Sequence, residues 1–481
     1  MSGRSPDTEG RLLRLADLER HPSSYVDPQG FLCRFEGGLL RAIRPEAEAF
    51  VRTLLTDGTA QRLHRNHGLI EAVETGFRIP DEGIALVLSH PLIQPETYCV
   101  EWCPGMLREA ALLTLELALD LNTSERTLQD AYPWNILFRG SKPVFVDFTS
   151  IAPVIPGSLW PAYQQFRSFF LWPLLLSAQG SGPVARLLLQ DNINGISLEA
   201  FSSLVPGHYR LRHPGILLES YLDRWINRNP ERKKRLKKRL ENTRITVAAA
   251  TRRRFLSGLR KQVAALAFRT SGEVWESYYA EIPKSVDKER KITGIREILE
   301  KIRPASLLDL GANTGVFSLL AAETGARVVS VDASESCMET LFRTARERDL
   351  AITPVVSDLL CPTPPFGFMG RQYPGLMTRI RSEAVLCLGL MHHLHISGRQ
   401  DFDRIAHLLD SVTEEHLIFE FVALDDDNNA LLNMPRRIDY SLETVLASLS
   451  RHFPEMEVSE SDRPTRRIVW CRKSPRSISA P

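Results

Sequence analysis

Only seven cysteines are scattered over 481 residues, at Cys33, Cys99, Cys103, Cys337, Cys361, Cys387 and Cys471. The number is odd and no C-x-x-C or Cys/His metal spacing occurs, so neither a disulfide framework nor a metal site is indicated. Reduced thiols in a cytoplasmic protein are the expectation. Long hydrophobic runs are missing too. The most apolar stretch, Phe169–Ala178, is short and contains Pro173, whereas a membrane-spanning helix takes about 20 apolar residues. Met1–Gly10 is polar and has no signal-peptide core. The net charge is only +2, so the chain as a whole has no strong bias toward an anionic partner.

What is present is ordinary for a globular protein: 43% hydrophobic and 25% charged residues, in a chain long enough for two or three domains. The stretch that organises it is Leu307-Leu308-Asp309-Leu310-Gly311-Ala312-Asn313-Thr314-Gly315, then a helical run Val316–Thr324, then Val328–Asp332. An apolar strand runs into a glycine turn and a helix, and a second apolar strand ends in a carboxylate. This is the first βαβ unit of a nucleotide-type site on a parallel sheet. Gly311 and Gly315 allow a tight turn close to a ligand, and Asp332 is placed to accept ribose hydroxyls. A dinucleotide fingerprint would read G-x-G-x-x-G. Here its second and third glycines are replaced by Asn313 and Val316, which disfavours a dinucleotide. The pattern D-x-G-x-N-x-G with a strand-end Asp resembles motifs I and II of class I S-adenosylmethionine-dependent methyltransferases.

In chain order, residues 1–30 read as a loosely ordered start with one short helix, Arg11–Glu19. From 31 to 222 the pattern is α+β, with strands Gly38–Ile43 and Ile84–Leu88 and helices Glu46–Leu55 and Leu107–Leu121. Asp130 and Asn135, then Pro143–Thr149 with Asp147, have the spacing D-x-x-x-x-N, hairpin, apolar-apolar-Asp-Phe. This resembles the catalytic and metal-binding loops of protein-kinase-like phosphotransferases. The departures are large: Leu-Gln precedes Asp130, Thr149 replaces the glycine, no glycine-rich phosphate loop lies upstream, and the nearest match to the usual lysine is Arg41. A kinase-like scaffold without phosphoryl transfer is therefore expected.

Residues 223–300 read as a basic helical connector and lid. Arg224–Lys261 holds 15 Lys and Arg against 2 Asp and Glu, densest at Arg232–Leu240. Such a run is expected to be a solvated helix face; phosphate binding to RNA or to an anionic membrane surface is the sharper alternative, and no nucleic-acid-binding motif accompanies the run. After Trp275–Tyr279 and a Lys-rich helix Lys288–Ile302, residues 301–473 continue as a class I methyltransferase sheet, with 474–481 a disordered tail. The further expected strands are Ile352–Val356, Ala384–Leu390, Leu417–Val422, and a closing antiparallel pair from Glu455–Val458 and Arg467–Cys471, which gives seven.

Four features then recur together: Asp130 to Asp147, Trp275 to Tyr278, Asp309 to Gly315, and Leu390–Leu394 with Glu420–Val422. Together they resemble a bacterial methyltransferase family that includes the rhizobial host-specific nodulation protein (NoeA type). The resemblance implies an α/β fold with a C-terminal seven-stranded Rossmann-like sheet behind an α+β kinase-like half, S-adenosylmethionine as cofactor, and a role in host-specific nodulation. Asp309, Gly311, Asn313 and Gly315 are expected to place the methionine part of the cofactor. Asp332 would hold the ribose, and Asp358 with Leu359 the adenine. His392 and His393 leave strand four where acceptors sit, and either is a candidate base or a packing residue. Glu420 is a candidate to orient an imidazole or bind an acceptor amine, or else a satisfied structural carboxylate. The expected activity is methyl transfer to a small-molecule or carbohydrate-type acceptor, without a membrane span. An RNA methyltransferase using residues 224–261 and a non-catalytic S-adenosylmethionine-binding protein are the alternatives. Acceptor and oligomeric state are not legible.

Overall fold

The computed structural model describes residues 10–24, 27–80, 83–212, 231, 234, 246–268, 286–426 and 440–474. The first half is built on an antiparallel sheet of β1 (Glu19–Arg20), β2 (Gly30–Phe35), β3 (Gly38–Ile43), β4 (Val73–Glu74) and β5 (Leu86–His90), in the order β1-β2-β3-β5-β4. β2 and β3 form a hairpin whose two turn residues, Glu36 and Gly37, both have positive φ (47° and 75°), matching the strand twist. Side chains alternate between two cores. Phe31, Cys33, Leu40, Ala42 and Val87 pack on one face with Leu13 and Ile79. Ile43, Leu86 and Leu88 face the main core, which contains the helix Pro104–Leu121. That helix has Pro at its first turn, where no backbone donor is needed, and is apolar around most of its circumference, so it is buried. Two short pairs follow, β6 (Arg126–Leu128) with β9 (Ile151–Pro153), and β7 (Ile136–Arg139) with β8 (Lys142–Phe145). Short helical segments run from Tyr163 to Arg212.

Part of the basic block forms the helix Ala249–Ala264 and docks on Pro104–Leu121. Leu256, Leu259 and Val263 enter the core. Arg252 donates to Asn122 Oδ1 (2.9 Å) and Arg260 to Glu116 Oε1 (3.0 Å). The densest basic run, Arg232–Leu240, lies outside the described residues except for Lys234, and Trp275–Tyr279 lies outside them altogether.

The C-terminal sheet contains β10 (Ser306–Leu310), β11 (Arg327–Asp332), β12 (Ile352–Val356), β13 (Ser382–Cys387), β14 (Thr413–Val422), β15 (Glu455–Glu460) and β16 (Arg466–Arg472), in the order β12-β11-β10-β13-β14-β16-β15. β12 through β14 pair in parallel, and β16 is antiparallel to both neighbours. The central strands are buried on both faces, as parallel strands under two helix layers must be. Leu308, Leu310, Val385 and Phe419 pack under the helices Phe402–Val412 and Leu442–Leu449. Leu307, Val328, Ile352 and Leu386 face the other way, toward the helices Val316–Glu323 and Glu335–Glu347, in a core continuous with that of the first half. The two halves are also joined by polar contacts. Gly105 N–H donates to Glu339 Oε2 (2.7 Å), and Arg379 pairs with Glu101 (2.5 Å) with both side chains almost fully buried.

Three sequence expectations shift. The helix expected at Arg11–Glu19 is only a 3₁₀ turn, Leu15–Asp17. The chain before it is held extended by backbone bonds, Leu13 N–H to Arg78 O (2.9 Å) and Arg78 N–H to Arg11 O (3.1 Å), while Leu13 is buried. The strand read at Ile84–Leu88 lies two residues later. Strand four ends at Cys387 rather than Leu390, because Gly389 turns the chain with φ 64°. No helix among the described residues is long and apolar enough to cross a membrane.

Candidate active site

The order β12-β11-β10-β13 places a topological switch point between β10 and β13. The chain leaves β10 toward β11 on one side, and the sheet continues through β13 on the other. Crevices at the carboxyl ends of such strands are where open parallel sheets bind ligands. The glycine turn leaves β10 and the histidine segment leaves β13, so the topology brings together two stretches about 80 residues apart.

Sterics explain the turn's composition. Gly311, Asn313 and Gly315 all have left-handed backbone (φ 72°, 51° and 84°). A Cβ on Gly315 would lie 2.3 Å from Leu341 Cδ1, so only glycine lets the helix Glu335–Glu347 close against the turn. The N–H groups of Gly311 and Ala312 donate to Val331 O (2.9 and 3.1 Å). Asp309 does not face the crevice: it is 3% exposed and accepts from Ser318 Oγ (2.6 Å), which accepts from Ser330 Oγ (2.8 Å). Burial raises its pKa to about 6, partly offset by the Ser318 hydrogen bond. Asp309 thus ties β10 to the helix after the turn.

Asp332 ends β11 half-buried, with Oδ2 accepting from Asn313 N–H (2.8 Å) and Oδ1 from Ser334 N–H (2.8 Å). The carboxylate links the glycine turn to the next loop. One strand over, Asp358 is exposed beyond β12 and accepts from Leu360 N–H (2.9 Å), beside half-buried Leu359.

His392 is 5% exposed, and its Nδ1 has no hydrogen-bond partner among the described residues. Its ring lies 4.2 Å from that of half-buried His393. Burial, reinforced by His393, lowers His392 to about 3; burial also lowers His393. Both rings are therefore neutral near pH 7, as a proton acceptor must be. Glu420 is fully buried in β14, where its oxygens meet Lys291 Nζ (2.7 Å) and Ser461 Oγ (2.8 Å). Of the two roles open to Glu420 from sequence, this is the geometry of a satisfied structural carboxylate.

Lys291 was not legible as a site-adjacent residue. It is 7% exposed and sits on the face of Val286–Ile302 that also buries Ile295 and Leu299. A lysine at i and apolar residues at i+4 and i+8 was the available signal.

No protein-family model matches the chain. It is 28% identical over 451 residues, 90% of its length and 91% of the relative's, to the nodulation protein NoeA of Rhizobium meliloti strain 1021. Among solved structures it is similar to magnesium protoporphyrin IX methyltransferase ChlM from Synechocystis PCC 6803 with bound SAM (18% identity, 39% of this chain and 81% of that chain, TM-score 0.28). It is also similar to the N-methyltransferase NodS from Bradyrhizobium japonicum WM9 (12%, 40% and 100%, TM-score 0.30). A third is the bifunctional kinase-methyltransferase WbdD (16%, 45% and 46%, TM-score 0.30). The methyltransferase fold is read from the strand order itself.

Proposed function

We propose that this chain, related to the NoeA nodulation protein along 90% of its length and built on the class I methyltransferase strand order, is an S-adenosylmethionine-dependent methyltransferase. Its acceptor is a small molecule or carbohydrate, and its relative's name supports a place in nodulation. One observation carries the reading: Asp332 clamps the glycine turn through Asn313 N–H, at the switch point where the histidine segment also emerges.

The residues present fit the cofactor. Gly311 and Gly315 put no side chain at the two ends of the turn, and two carboxylates lie at the ends of adjacent strands where hydroxyl and amino donors need acceptors. In this reading Gly311, Asn313 and Gly315 hold the methionine part, Asp332 the ribose, and Asp358 with Leu359 the adenine. When bound, the cofactor supplies an electrophilic methyl group on a sulfonium. The chain's part is to align an acceptor with that methyl and exclude water. For a hydroxyl acceptor it must also take up a proton, for which His393 or His392 is the candidate in this reading.

The first half is read as a kinase-like scaffold that does not transfer phosphoryl groups. In support, the Arg41 guanidinium lies 3.1 Å from Asp147 Oδ1, where a kinase-like site would need a metal ion. The RNA reading has less support, since Arg252 and Arg260 of the basic block are engaged within the protein.

The test is transfer of a labelled methyl group from S-adenosylmethionine into fractionated cell extract, followed by identification of the labelled product. A labelled small molecule or glycan supports the proposal. Label in RNA, or cofactor binding without turnover on any fraction, overturns it.

A further inference from the structure

A cavity of about 560 Å³ opens in the first half, within the size range of small-molecule sites. None of its lining residues belongs to the glycine turn or the histidine pair. Its walls are apolar and aromatic, including Phe31, Ile70, Tyr98, Tyr132 and Trp134. Tyr373 completes them from the segment between β12 and β13, with its ring 4.6 Å from Trp134 and 5.2 Å from Tyr98. Both halves of the protein therefore build this cavity.

Its charge is unbalanced. Four carboxylates line it: Asp27, Glu96, Asp130 and Asp147. Two have cationic partners. Glu96 lies 3.6 Å from both His21 and Arg34. Asp147 is held by Arg41 (3.1 Å), Thr149 (2.8 Å) and Asn135 (3.3 Å). Asp27 and Asp130 have no cationic partner among the described residues. Asp27 accepts from Gln29 N–H (2.8 Å), while Asp130 is tied to Ser150 only through its own backbone. Burial, then the charges of Asp147 and Asp27, raise Asp130 to about 6.

These groups discriminate between ligand classes. A polyphosphate would face two uncompensated carboxylates. The Arg41 guanidinium already lies against Asp147, and among the described residues no group of three His, Cys, Asp or Glu side chains is gathered to hold a metal. An ammonium group, by contrast, meets carboxylates without a cationic partner and electron-rich ring faces together.

We infer that this cavity binds an organic cation: a protonated amine held by Asp27 and Asp130, on an aromatic or apolar body packed among the Tyr98, Trp134 and Tyr373 rings. The probe is tyramine, compared by titration calorimetry at pH 7.5 with tyrosol, its neutral counterpart with a hydroxyl in place of the amine. Tyramine should bind at least about tenfold more tightly, the contribution of one charge-assisted contact. Asp130→Asn and Asp27→Asn should each reduce tyramine affinity and leave tyrosol affinity and S-adenosylhomocysteine binding unchanged. Equal affinity for the two probes overturns the inference. So do binding of neither, tyramine affinity unchanged in both Asn variants, and preference for a magnesium–ATP analogue over tyramine.

Discussion

Replacing Asp332 by Ala tests the cofactor assignment most directly. In the wild type its two oxygens accept from Asn313 N–H and Ser334 N–H at 2.8 Å each, and would also receive the ribose hydroxyls. A hydrogen bond to a charged group contributes about 1.5–3 kcal/mol. Loss of the ribose contact should thus weaken binding roughly 10- to 150-fold, at 1.4 kcal/mol per factor of ten. The Ala variant also removes the acceptor for one amide of the turn and one of the next loop, so its effect mixes ligand contact with loosening. Asp332→Asn separates the two, because its carbonyl oxygen still accepts from one amide while the charge is gone. The assay is titration calorimetry with S-adenosylhomocysteine, with thermal melts to establish folding. The expected order of affinity is wild type, then Asn, then Ala. A folded Ala variant with wild-type affinity would refute the assignment of Asp332 to the ribose and the role given to the glycine turn.

Glu101→Gln should destabilise the protein by about 3–5 kcal/mol, because it leaves Arg379 buried without its partner; denaturant unfolding measures this, and the double replacement Glu101→Leu with Arg379→Met should recover much of the loss. Purified protein should show no phosphotransferase turnover with magnesium and ATP; an ATP-hydrolysis signal abolished by Asp147→Ala would overturn the scaffold reading. Replacing the true base of the histidine pair by Ala should lower kcat about 10²- to 10⁴-fold for a hydroxyl acceptor, with donor affinity nearly unchanged. Since burial lowers both imidazoles, and His392 to about 3, the base stays neutral as pH falls through 6.5. The acid limb of the rate profile should therefore lie below that value, and two single variants with wild-type rates and profiles would make the pair structural.

Features encoded within a few turns of chain were legible in the sequence. The strand Ile352–Val356 lies where its apolar run places it. The unit from Ser306 to Asp332 was equally readable, since the turn's left-handed residues, its helix and the strand-end acid are all local. From that unit and the spacing of later apolar runs, seven strands with a closing antiparallel pair could be anticipated, though not the order in which they pair. Strand ends were read less well where one residue decides them: Gly389 ends β13 three residues before the apolar run does.

Pairings that exist only once the chain has folded were not legible. Lys291 reaches Glu420 across 129 residues, Arg41 reaches Asp147 across 106, and Glu101 meets Arg379 across 278. Each is a charge in an otherwise ordinary amphipathic or loop context, and a single sequence assigns it to solvent by default. The same limit explains why Glu420 could be read either as a site carboxylate or as a structural one. A strand-end acid next to a crevice is exposed or neutralised according to what packs beneath it. Here that neighbour is a lysine on a helix preceding the sheet, whose position depends on the helix's apolar face rather than on any motif. Where no described residue supplies a partner cation, as at Asp27 and Asp130, the same physics leaves charge lining a cavity. A carboxylate kept there without a counter-charge costs stability, which a cationic ligand would offset.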